Sequence, residues 1–162
     1  MTGALALEND AYTPGVYNIV QGTLEVVDTT NYEINFVSGV KYTIANQVVT
    51  VTPKAGQSKT YDGMTAENIQ FDSDIPGVTF TGALALENDA KDAGSHNIVR
   101  GTLEAEGFYV INLVGNVKYT INPAPLTVTP VSGQSKEYDK TPVTSGIEYT
   151  VDGLIGSDTL SG

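Results

Sequence analysis

The sequence predicts an all-β protein, an antiparallel β-sandwich repeated in tandem. Three observations predict it. Apolar and polar residues alternate at a spacing of two, the signature of strands with one buried and one wet face. Turn residues such as Pro-Gly, Asp-Gly and Ser-Gly interrupt these runs about every 8–12 residues. The chain also repeats itself: residues 2–25 and 81–104 match at 18 of 24 positions, beginning with the same ten letters, TGALALENDA. Val, Ile, Tyr and Thr are plentiful, with 17 Gly and 7 Pro. That mixture favours strands and turns over helices.

Taken in chain order, each element has a local reason. In the repeated phrase Leu84 and Leu86 alternate and Gly94 soon follows, so a strand running into a loop is expected. YEINFV places Tyr32, Ile34 and Phe36 on one side, and KYTI does the same with Tyr42 and Ile44. VVTVT alternates Val49 and Val51 with threonine. The second copies follow suit: FYVINLV with Tyr109, Ile111 and Leu113, KYTI with Tyr119 and Ile121, PLTVT with Leu126 and Val128. In the YDG turn at Tyr61–Gly63, Asp bonds its own backbone and Gly permits positive φ. Most tyrosines alternate with threonine or charge and are expected in the core.

The period is 77 to 79 residues, the size of a small β-domain rather than of a solenoid repeat. The stretch Pro123–Pro130 is proline-rich and suits a joint, as does the matching place near 45–47. Units cut there give one complete repeat, 46–121. Residues 1–45 are then the C-terminal half of a preceding unit, and 122–162 the N-terminal half of a following one. The two halves are expected to complement each other, in cis or in trans, because half a sandwich leaves an edge and an apolar face open.

With the repeats aligned, the SK-x-YDG piece at Ser58–Gly63 and the G-x-Y-x-I-x-x-GTL…NY-x-I run at Gly15–Ile34 resemble the MBG and YDG repeat domains of large bacterial surface proteins. His96 stands where Tyr17 stands, Phe108 replaces Asn31, and Lys140 replaces Gly63. The resemblance implies an extracellular, cell-surface, all-β stalk or adhesin repeat without catalytic residues. The fold expected is immunoglobulin-like, with a β-grasp-like arrangement as the alternative. A grasp needs a helix, for which TAENIQFDSD is the one weak candidate.

Chemistry-bearing residues are few. Acidic residues outnumber basic ones 19 to 8, for a net charge of -11. This disfavours nucleic acid and anionic membranes. There is no Cys, hence no disulfide, thiolate ligand or thiol nucleophile. His96 is the single histidine and is expected at a core margin. No acid, base and nucleophile set is apparent, so no enzyme and no resident cofactor are expected. Asp72, Asp74, Glu87, Asp89 and Asp92 are weak Ca²⁺ candidates, because that ion takes six to eight oxygens. Lys59 and Lys136 sit at equivalent places and are candidates for a lysine–asparagine crosslink. The expected partners are neighbouring repeats. Two alternatives accompany them: a host glycan or protein gripped by exposed tyrosines, and self-association through the half units into a filament.

Overall fold

The computed structural model describes residues 2–161. The chain is all-β; among the described residues helix is confined to two single 3₁₀ turns, Glu8–Asp10 and Glu87–Asp89, and the helix considered at 65–74 is not formed, Phe71–Ser73 being strand there. The strands in order are β1 (Ala6–Leu7), β2 (Gly15–Val20), β3 (Lys41–Ile44), β4 (Gln47–Pro53), β5 (Ser58–Thr60), β6 (Phe71–Ser73) and β7 (Phe80–Thr81). They continue with β8 (Ala85–Leu86), β9 (Gly94–Val99), β10 (Glu104–Ala105), β11 (Tyr109–Leu113), β12 (Lys118–Asn122), β13 (Thr127–Pro130) and β14 (Tyr149–Asp152).

Contacts divide the chain into two compact units. One holds the residues up to Thr50 with Ser73–Thr81 and Glu104–Asn112; the other holds Val51–Asp72, Gly82–Leu103 and Leu113 onward. The division falls inside β4, so the repeat 46–121 contributes to both.

In the first unit β1, β2 and β3 form an antiparallel sheet in that order, with Leu7 opposite Ile19 and Tyr17 opposite Tyr42. β7 and β10 pair antiparallel there as well. In the second unit the sheet runs β5-β12-β9-β8. β9 is antiparallel to both its neighbours, whereas β5 runs parallel to β12, with Ser58 opposite Thr120. β13 and β14 make a two-stranded antiparallel sheet.

The remaining sheet has the order β11-β4-β6. Gln47 N–H donates to the Phe108 carbonyl at 2.9 Å, and Val114 N–H donates to the Val51 carbonyl at 2.9 Å. The partners advance together along both strands, so β4 and β11 are parallel. The wholly antiparallel expectation is therefore corrected at two seams. Both join the front of the repeat to its back, and alternation alone reads the same for either direction.

The copies share their local backbone. Asn9 and Asn88 both adopt left-handed φ, 55° and 56°. Gly3 and Gly82 hold φ of +80° and +71°, and the carbonyl oxygens of Thr23 and Thr102 occupy the space that a Cβ would need. Only glycine allows that approach.

Among the described residues, all ten buried apolar side chains lie between Val49 and Ile121. They include Leu84, Leu86, Leu103 and Tyr119. Tyr32–Phe36, expected as a strand, has no strand assignment, although its copy Tyr109–Leu113 is β11. The physical reason is the missing mate: β11 is held by β4, and among the described residues no strand is paired with 32–36. Five of the nine tyrosines (Tyr12, Tyr32, Tyr42, Tyr138 and Tyr149) are exposed, which corrects the core placement expected for most of them.

Candidate functional site

Within the second unit a cleft of about 310 Å³ lies between residues 61–93 and residues 123–158. Tyr61, Asp92 and Ala93 line it from the repeat; Pro123 and Ala124 come from the proline-rich connection, and Leu154, Ile155 and Asp158 from the half repeat. Tyr61 is placed by β5, which ends one residue before it, and its N–H donates to the Asn122 carbonyl at 2.8 Å. Its hydroxyl donates to Asp158 Oδ2 at 3.1 Å. That hydrogen bond first, then the Asp158 charge, desolvation and the Asp92 and Asp62 carboxylates, raise the phenol above its ordinary value of 10.0. The cleft thus joins aliphatic packing to one phenol–carboxylate bond. The bond links Tyr61 to a carboxylate 97 residues further along the chain.

Beside the cleft lies the YDG turn. Lys59 Nζ stands 2.6 Å from Asp62 Oδ1 and donates to the carbonyls of Met64 and Thr65. Asp62 Oδ1 also accepts the Met64 N–H at 2.9 Å. The hydrogen bond from Lys59 comes first, and that from Met64 second, in holding the Asp62 carboxyl below its ordinary range. The second copy repeats the device. Lys136 pairs with Asp139 at 2.8 Å and bonds Thr141, while Asp139 accepts the Thr141 N–H at 2.9 Å. Both candidate crosslink lysines therefore clamp their own turns, and among the described residues no asparagine is bonded to either.

The candidate Ca²⁺ ligands are not brought together. Asp72 pairs with Lys54 at 3.3 Å. Asp74 Oδ1 accepts the Thr50 N–H at 2.7 Å, the leading cause of its lowered pKa. Glu87 accepts Asn97 Nδ2 at 2.6 Å, Asp89 sits in a left-handed turn, and Asp92 lines the cleft. Among the described residues, no three acidic or histidine side chains gather as a ligand set.

His96 is half-buried, at the margin where it was expected. Its Nε2 donates to the Asp92 carbonyl at 2.8 Å, which places the proton on that nitrogen. Tyr17 does the same in the other copy, donating from its hydroxyl to the Thr13 carbonyl at 2.9 Å. The two side chains are interchangeable because each reaches a carbonyl four residues back. The role of Asp158 was not visible beforehand, since the two copies align only loosely around it. Compared with known proteins, the chain matches no family model, no curated protein and no solved structure.

Proposed function

We propose that the chain is a structural spacer, a stretch of tandem β-repeat in the stalk of a bacterial cell-surface adhesin. The observation that carries this reading is the parallel pairing of front strands with back strands, β4 with β11 and β5 with β12. A chain pulled at its two ends enters the repeat through β4 and leaves through β12. The paired strands are then dragged past one another, so their hydrogen bonds are loaded together rather than unzipped singly. A spacer under tension needs that geometry. The Tyr61–Asp158 cleft adds a defined joint between successive repeats.

The resemblance at Ser58–Gly63 and Gly15–Ile34 supports placement outside the cell. The repeat is proposed to close as a β-sandwich rather than a grasp, since the helix that a grasp needs is not formed at 65–74. Pulling the chain by its ends in a force spectrometer tests the reading. The expected result is one cooperative rupture that releases about 260 Å of chain, the extended length of 46–121. Smooth extension without a force peak contradicts it.

A further inference from the structure

We propose that this chain crosslinks itself at Lys41–Asn18 and at Lys118–Asn97, each lysine amine displacing ammonia from the asparagine amide that faces it. The crosslink is independent of the stalk reading, because it needs only groups that one copy of the repeat brings together.

The same three side chains meet in both copies. β2 and β3 place Asn18 directly opposite Lys41, and β9 and β12 place Asn97 directly opposite Lys118. Residues opposed in this way on antiparallel strands share a face and lie within reach of each other. Lys41 Nζ donates to Asn18 Oδ1 at 2.6 Å, and Lys118 Nζ donates to Asn97 Oδ1. A carboxylate holds the nitrogen of each amide. Asn18 Nδ2 donates to Glu8 Oε2 at 2.8 Å, and Asn97 Nδ2 to Glu87 Oε2 at 2.6 Å. Glu8 Oε1 also accepts the Asn18 N–H at 2.8 Å. Each glutamate opens one of the two 3₁₀ turns, which bring it beside its asparagine. Around these groups the copies drift: Val16 and Tyr17 in one are Ser95 and His96 in the other, while Glu, Asn and Lys are unchanged. Lys59 and Lys136, the lysines expected from the sequence, bond carbonyl, hydroxyl and carboxylate oxygens instead.

The chemistry closes without a further reagent. The neutral Nζ attacks Cγ, which lies one C=O bond, about 1.2 Å, beyond the oxygen it already contacts. The Nζ–Cγ bond forms and the Cγ–Nδ2 bond breaks. The glutamate takes one proton from the amine and passes it to Nδ2, which leaves as ammonia, and the product is a secondary amide. Only a neutral amine attacks, and that is the minor form of a lysine in water at neutral pH, so the reaction is slow. The facing geometry offsets this, since holding two groups together is equivalent to about 10⁵ M of amine or more. The crosslink is therefore a maturation step, absent from the freshly made chain and present in the aged one.

Intact-mass spectrometry of the 162-residue chain, fresh and after prolonged mildly alkaline incubation, tests this. The aged chain is expected to be lighter by two molecules of ammonia. Its proteolytic fragments carrying Asn97 and Lys118 are expected to stay joined, as are those carrying Asn18 and Lys41. Lys118→Arg should abolish the first joined pair and keep the second. Glu87→Gln should slow formation of the first pair at least tenfold. Lys118 and Glu87 are both exposed, so the circular dichroism of either variant should be unchanged. Pulled by its ends, the aged chain should release about 70 Å less than the fresh one, the extended length of 97–118. An aged chain of unchanged mass overturns the proposal. So does loss of ammonia with every fragment separate, the mark of asparagine closing on its own backbone.

Discussion

Leu84 and Leu5 hold the same place in the same ten-letter phrase, yet one is 3% exposed and the other 51%. Tyr119 and Tyr42 differ in the same way, at 7% and 54%. The backbone nearby hardly differs: the left-handed φ of Asn9 and Asn88 agree within a degree. Local conformation is thus encoded within the phrase, while burial depends on what the rest of the repeat brings to it. Among the described residues, the buried apolar side chains all lie in 46–121 and none in the flanking segments.

The largest expected effect breaks this comparison at its centre. Leu84→Ala should cost about 2–5 kcal/mol, because a buried side chain leaves a cavity. Leu5→Ala should cost less than about 0.5 kcal/mol, as at an ordinary surface position. Urea denaturation of the two variants reads the difference, and equal costs would show that the copies are equally packed.

A smaller effect lies in the YDG turn. Gly63 and Lys140 occupy the same left-handed position, with φ of 76° and 65°. A side chain with a Cβ is strained there, so Lys140→Gly should stabilise the segment 122–162 by about 0.5–1 kcal/mol. A thermal melt that moves down instead of up would count against a shared turn geometry.

The smallest effect sharpens the comparison at the joint. Tyr61 has a folded-state pKa raised above 10.0, chiefly by its bond to Asp158. Its contribution is therefore complete below that ordinary value and is lost as the pH rises through the folded value. In an ultraviolet titration of tyrosine, Tyr61→Phe should remove a late-ionising component, and Asp158→Asn should bring that component earlier. Unchanged curves for both variants would mean that the joint does not hold the phenol.

Much of the architecture was legible in the residues. Alternation located β3, β4, β11, β12 and β13, because one-sided burial leaves a period of two. It failed at Tyr32–Phe36, where the pattern is present and the mate is not. It was silent on the parallel seams, since strand direction is set by which distant segments meet. The partners of the carboxylates were equally illegible: Asp72, Asp74 and Glu87 are close in sequence, but each is engaged by its own partner, Lys54, Thr50 or Asn97. His96 could be placed because its copy, Tyr17, showed that the position tolerates either ring.

The central claim is that a repeated strand sequence becomes strand only where its mate is present. Amide hydrogen exchange of the dilute chain tests it most directly, by comparing Tyr109–Leu113 with Tyr32–Phe36. The account predicts slow exchange in the first segment and exchange near the free-peptide rate in the second. Matching protection in both would contradict it.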